Sequence, residues 1–272
     1  ASDVYKRQGY LYGTGASVGN MPQPTTRTKT TVSTVIGELM LTAGVLLLLF
    51  ALYESYWTNI ESGHLQEEAN EALQEEWHNP RGQGHAPKLG EAFARLYIPT
   101  FGSDFAFAVL EGTNEDDLLR GPGRYPDTQM PGEKGNFAVA GHRVGKGAPF
   151  NDLGNLQTCD AIVIETFTEW ITYRVLPIDG ASADCFSPEQ RDKPEYQQIQ
   201  GRHITLPGDV SVLQPIPGTP PEAGVEASEG LLTLTTCHPQ FSNAERMIIH
   251  AMETDREPKS PGSDDNHRPA VL

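Results

Sequence analysis

Three side chains have the residue types and spacing that acyl transfer requires. Cys237 follows the apolar run Leu231 to Thr236, Arg246 opens the next apolar run nine residues later, and His142 follows Phe137 to Ala140 in AVAGHR. If Leu231 to Cys237 is a strand, alternation puts Leu232, Leu234 and Thr236 on one face, with Leu231, Thr233, Thr235 and Cys237 on the other. Pro239 cannot continue a central ladder, so the thiol is expected at the strand's end. A turn through Pro239, Ser242 and Asn243 then brings Arg246 beside it. A fixed cation there stabilises a thiolate and can hold a developing oxyanion. An imidazole near sulfur takes the thiol proton or protonates a leaving amine, and His142 is the candidate for that role. His238, adjacent to Cys237, leaves the strand on the opposite face, and His250 lies within an apolar run and reads as packed. Taken singly, a strand-end Cys or a lone His is as readily structural. The bland alternative is therefore an anchored β-barrel binding module.

Composition bounds the rest. The chain has 272 residues, 38% apolar and 21% charged, with a formal net charge of −16. That is room for one mid-sized domain with appendages, and it excludes collagen-like and fully disordered chains. The acidity argues against a duplex nucleic-acid partner, whose phosphates are held by clustered Lys and Arg. Residues 1–30 carry Lys6, Arg7, Arg27 and Lys29 against Asp3 alone. Val32 to Tyr53 is an apolar run of 22 residues with one charge, long enough at ~1.5 Å per residue to span a ~30 Å hydrocarbon core. A signal peptide's apolar segment is shorter, and Tyr53, Tyr56 and Trp57 follow this run as an aromatic belt would. Arg27 and Lys29 place the N-terminal side in the cytoplasm by the positive-inside bias, with everything after Tyr53 outside.

Short β-branched or aromatic runs bounded by Gly, Pro, Asn or Asp predict strands. They are Phe93 to Ile98, Phe105 to Leu110, Phe137 to Ala140, Ala161 to Thr166, Trp170 to Leu176, Leu231 to Thr236 and Met247 to Met252. The fourth and fifth are close enough for a hairpin. Thr113 and Asp116 have capping-box spacing before Leu118 and Leu119, which predicts a short helix stopped by Gly121-Pro122-Gly123. The Glu115, Asp116, Asp117 cluster lacks calcium-loop spacing and reads as a helix-start charge cap. Many short strands without alternating long helices imply an antiparallel barrel or sandwich. Residues 61–76 have rough helical spacing and read as a solvated stalk, and Asn79 to Gly90 reads as a linker. Cys159 and Cys185 flank the hairpin and can form a disulfide outside the cell, leaving Cys237 as the odd thiol.

Together these residues carry a resemblance. TLTTCHPQFSNAERMIIHA resembles the Cys/Arg signature of the sortase transpeptidases, and NFAVAGHR resembles their His motif. GPGRYP at 121–126, GAPFNDL at 147–153 and the anchor IGELMLTAGVLLLLFALYESYWTN are similar to the class E sortases of actinobacteria. The resemblance covers residues 36–254. It implies an all-β fold, an eight-stranded sortase-type β-barrel with short helices preceded by one N-terminal transmembrane helix. The organisation read along the chain is a cytoplasmic segment at 1–31, an anchor at 32–53, a stalk and linker at 54–90, a catalytic domain at 91–254 and a disordered tail at 255–272. The implied activity is cleavage of the Thr–Gly bond of a LAXTG-type sorting signal through a thioacyl-enzyme on Cys237. A peptidoglycan precursor stem peptide then resolves the intermediate, joining the secreted protein to the cell wall. His142 would be general acid and base, and Arg246 the oxyanion or orienting group. Tyr125 resembles the class E tyrosine linked to the choice of Ala over Pro, and Thr236 would line the substrate groove. No metal or organic cofactor is expected. The alternative is a sortase of another class acting on LPXTG or LPXTA signals.

Overall fold

The computed structural model describes residues 31–53, 57–79, 86–259 and 268–272. The chain divides into two units, Ala1–Leu47 and Leu48–Leu272. Helix α1 (Val32–Leu52) has no buried residue and is, among the described residues, the one helix long and apolar enough to cross a membrane.

Among the described residues, the second unit is built on nine strands. They are β1 (Ala92–Tyr97), β2 (Ala106–Glu111), β3 (Gly123–Arg124), β4 (Gly135–Ala140), β5 (Ala161–Glu165), β6 (Glu169–Val175), β7 (Arg202–Thr205), β8 (Gly230–His238) and β9 (Glu245–Pro258). Eight follow the order β6-β5-β1-β2-β3-β4-β8-β9, and β9 pairs back onto β6 to close the barrel. The length of β9 makes closure possible while leaving room for one more strand. One edge is given to β8; on the other, Arg246–Ile249 pair with β7 and Ala251–Pro258 with β6. The expected β5–β6 hairpin is present, with Glu165 opposite Trp170. Two pairings are parallel, β2 with β3 and β4 with β8, where short strands alone suggested antiparallel neighbours. The long excursion between β4 and β8 lets the chain re-enter the sheet in the same direction. The unanticipated strands are the shortest, β3 with two residues and β7 with four, neither with an apolar alternation to signal it.

Alternation fills the interior. Leu96, Val109, Phe137, Val139, Ile162, Ile164, Ile171, Tyr173, Leu232, Leu234 and Ile249 form one fully enclosed cluster. Burial of each such side chain contributes roughly 1.5–3 kcal/mol. The outer face is covered as well. All of β5 is buried, because Val163 lies under Tyr97, Trp170, Val271 and Leu272. The boundaries expected at the two ends of the catalytic domain therefore move. Strand β9 runs past residue 254 to Pro258, and Val271 and Leu272 pack on the barrel, so these parts of 255–272 are ordered. Residues 260–267 lie outside the described set. At the other end, helix α2 (Thr58–His78) buries Ser62, Gln66, Ala69, Leu73 and Trp77, and the last three pack on Ala92, Ala108 and Leu110. That segment is part of the folded body and not a solvated stalk. Helix α3 (Glu115–Arg120) is the predicted short helix, but Asn114 caps it in place of Thr113, accepting from the Asp117 N–H at 2.9 Å.

Cys159 and Cys185 are disulfide-bonded and tie the start of β5 to the β6–β7 connection; Cys237 is free. The bond closes a loop of sequence separation 26, for which loop entropy gives about 3 kcal/mol. Replacing both cysteines with serine is expected to lower urea-unfolding stability by about that amount. The unreduced, denatured chain should titrate with one thiol-reactive group and the reduced chain with three.

Candidate active site

Strand β8 carries the thiol to the barrel rim. Leu232 and Leu234 lie in the interior cluster, so Thr233, Thr235 and Cys237 project from the outer face. Across β8 and β9, Cys237 stands directly opposite Arg246. The connecting turn adds Asn243. Cys237 Sγ donates to Asn243 Oδ1 at 3.4 Å, and Arg246 Nη1 donates to the same oxygen at 2.6 Å. Arg246 Nη1 also donates to the Glu245 carbonyl at 3.0 Å, which holds the guanidinium at the strand end.

The other edge of β8 brings His142. Ala140 of β4 pairs with Thr235, and the Gly141 N–H continues the ladder to the Thr235 carbonyl at 3.1 Å. The β4–β8 pairing ends at Ala140 with Thr235; His142 lies two residues past that last pair in the loop after β4, and Cys237 two residues past it on β8, so both leave the same end of the barrel. Burial pushes the His142 pKa below the ordinary histidine value, and its Nε2 is buried without a hydrogen-bond partner. The imidazole is therefore neutral near pH 7, with a nitrogen free to take or give a proton. All three expected groups thus stand at one end of the barrel.

Thr236 and Tyr125 divide. Thr236 points the other way from Cys237 and donates to the Gly141 carbonyl at 2.8 Å, so its buried hydroxyl holds the peptide before His142. Tyr125 follows β3, and its hydroxyl lies 3.0 Å from Thr235 Oγ1, on the thiol's own strand face. The buried bidentate pair of Arg124 with Glu111, both contacts at 2.7 Å, fixes the strand end from which Tyr125 projects. His238 is engaged elsewhere: Arg143 Nη1 donates to its Nδ1 at 2.6 Å and to the Cys237 carbonyl at 3.2 Å. Residue type and spacing do not single out Arg143 or Asn243. The signals available were position alone, Arg143 beside His142 in AVAGHR and Asn243 in the turn between Cys237 and Arg246.

Further down the same face the site closes. Thr233 donates to Asn136 Oδ1 at 2.7 Å, leaving the His250 Nδ1–H to donate to Thr233 at 2.8 Å. Asn136 Nδ2 donates to the Val212 carbonyl at 3.0 Å, so the β7–β8 connection roofs this end. Among the described residues, no group of three or more His, Cys, Asp or Glu is placed to hold a metal ion.

A Sortase domain model matches residues 96–254. The chain is 33% identical over 240 residues to sortase SrtE1 of Streptomyces coelicolor, covering 86% of this chain and 60% of that relative's length. Among solved structures, a SrtF sortase from Corynebacterium diphtheriae is 58% identical with a TM-score of 0.63, over 71% of this chain and 97% of that one. Sortase E from Streptomyces avermitilis is 34% identical with a TM-score of 0.50, over 68% and 99%.

His250 supplies a pH prediction. Complete burial pushes its pKa down to about 3, with His203 adding repulsion. An unfolded histidine titrates near 6.5, so protons favour the unfolded chain as pH falls from there toward 3. His250→Gln should flatten the decline in urea-unfolding stability between pH 7 and 4, where the wild type loses up to ~1.4 kcal/mol per pH unit through this group.

Proposed function

Because the chain belongs to the sortase family of cysteine transpeptidases, we propose that Cys237, His142 and Arg246 perform the exchange of one peptide amide for another. The observation that supports this reading is strand register: β8 sets Cys237 opposite Arg246, and its pairing with β4 ends two residues before His142. Sortases join proteins bearing a sorting signal to cell-wall precursors. Here the bond broken is the Thr–Gly amide of a LAXTG-type signal. As Sγ attacks the Thr carbonyl carbon, the thiol proton passes to neutral His142. The tetrahedral oxyanion accepts hydrogen bonds from the Arg246 guanidinium. Collapse breaks the C–N bond, and imidazolium returns the proton to the departing glycine amine, leaving a thioester on Cys237. A stem-peptide amine of a peptidoglycan precursor attacks that thioester, His142 takes its proton, and Sγ leaves to be reprotonated. Tyr125 borders the thiol's face beside Thr235 and contacts the signal residue that is Ala or Pro. Thr236 serves by holding the Gly141 peptide and not by touching substrate.

Helix α1 serves as a single-pass anchor with residues before it in the cytoplasm and the barrel outside. Client and precursor are both membrane-tethered, so confinement to one leaflet raises their effective concentration. The alternative signal is of LPXTG or LPXTA type.

Cys237→Ala and His142→Ala are expected to abolish transpeptidation with the fold retained, and Arg246→Ala to lose roughly 10²–10³ in kcat, as for one oxyanion donor. Mass spectrometry of the chain incubated with a sorting-signal peptide should find the acyl adduct on Cys237. Turnover by Cys237→Ala would refute the mechanism. Comparing kcat/KM on LAXTG and LPXTG peptides separates the two signals, and Tyr125→Phe or Tyr125→Leu should narrow that ratio.

A further inference from the structure

The buried stripe of α2 changes chemistry along its length. Ser62, Gln66, Ala69, Leu73 and Trp77 fall at helical spacing, but only the last three meet the apolar barrel wall. The first half of the stripe is polar although Ser62 is fully buried and Gln66 nearly so. Helix packing alone gives no reason to bury an amide, which loses its water and must be repaid with a hydrogen bond.

Gln66 of that stripe and exposed Asn59 in the helix's first turn contact the loop that follows His142, while Ser62 Oγ is buried without a partner. Gln66 Nε2 donates to the Lys146 carbonyl at 3.3 Å, and Asn59 Oδ1 accepts from the Gly147 N–H at 3.1 Å. Lys146 also pairs with Glu115 at the start of α3. The loop needs holding. Gly145, Lys146, Gly147 and Ala148 all have positive φ, at 63°, 54°, 74° and 38°. Two of the four are not glycine, so this backbone is strained and must be held by its surroundings. Gly147 and the Gln66 amide lie in close contact, since a Cβ built at Gly147 would be 2.2 Å from Gln66 Nε2. The loop's two ends join where His142 stands: the Phe150 N–H donates to the His142 carbonyl at 3.0 Å, with Phe150 itself fully buried.

We propose that Asn59 and Gln66 are positioning residues that fix residues 145–148 from outside the barrel and thereby hold His142 at the Cys237 end of the barrel. The inference rests on His142 acting as the proton-transfer group. It makes the helix next to the anchor a working part of the active site, although none of its side chains touches substrate. A misplaced imidazole costs turnover more than binding, because proton transfer depends on near-attack geometry.

The test is steady-state kinetics of the full chain with a sorting-signal peptide and an amine acceptor, below the melting transition of every variant. Asn59→Ala and Gln66→Ala should each lower kcat roughly ten- to a hundredfold with KM within about twofold. Asn59→Asp still offers an oxygen to the Gly147 N–H and should recover most of the loss. Gln66→Glu sets an oxygen against the Lys146 carbonyl and should not. Leu73→Ala loosens the apolar half of the same helix and should lower Tm while kcat stays at the wild-type value. Unchanged kcat in both alanine variants overturns the inference. So does a loss of kcat in Leu73→Ala as large as theirs, since that reports helix docking alone. In either case an active wild type leaves the transpeptidase reading standing. A wild-type chain with no turnover and no adduct on Cys237 overturns both.

Discussion

Strand β8 is hydrogen-bonded along both edges, and its two registers decide where the reactive groups stand. Parallel pairing with β4, ending at Ala140 and Thr235, brings the chain to His142 at the same end of the barrel; antiparallel pairing with β9 sets Arg246 across from Cys237. Side chains alternate with a period of two, so a slip of one residue in β8 would turn Cys237 inward and push Leu232 and Leu234 out to solvent. Both leucines are fully buried among Phe137, Val139 and Ile249. Apolar burial, several kcal/mol for the pair, therefore enforces a register whose consequence is chemical. No interaction at the rim is strong enough to do this: the thiol bond to Asn243 is long, and Asn243 is exposed.

The outer face of β8 grades from closed to open. At Thr233 a chain of hydrogen bonds through Asn136 and His250 runs under the roof made by Val212, and His250 is held neutral. Two residues on, Thr235 meets the hydroxyl of half-buried Tyr125; two more on, Cys237 is half-exposed. Three polar residues on one strand face thus have separate uses because what covers them differs. At the closed end Thr233, Asn136 and His250 hydrogen-bond one another, and the open end leaves a sulfur and an imidazole nitrogen that a substrate would meet in the proposed reaction.

What the sequence shows of this depends on how far each device extends along the chain. Strands with three or more alternating apolar residues are legible because burial writes a period into them, and the Cys-to-Arg spacing of nine is legible because a hairpin turns position into contact. Strand β7, with its pattern RHIT, exists because β9 has a free edge beside it, which is a tertiary fact. Helix α2 resembles a solvated stalk because part of its buried face is Ser and Gln, and the burial of Gln66 makes sense only once the loop at 145–148 lies against it. Asn243 reads as a turn former; its second use, as the acceptor shared by sulfur and guanidinium, requires both strands to be in place. Tyr125 and Thr236 are two motif residues that structure separates, since strand alternation sends one hydroxyl to the thiol's face and the other beneath it.

The shared acceptor also constrains how the proposed reaction begins. In the resting chain Asn243 Oδ1 takes one hydrogen bond from the thiol and one from Arg246 Nη1. An oxygen accepting from a cation donor is already polarised, so its hold on a weak S–H donor is slight and the proton is easily redirected. Desolvation keeps His142 neutral, so it can receive that proton at neutral pH, and its buried Nε2 has nothing else to bond. Among the described residues both hydrogen bonds of Arg246 leave from Nη1, so the remaining guanidinium N–H groups are available as charge develops on a carbonyl oxygen. In the proposed reaction the charge separation that creates imidazolium and oxyanion would occur beside a cation already held by Asn243 and the Glu245 carbonyl. Asn243 thus anchors the guanidinium while holding the thiol through a single weak S–H bond.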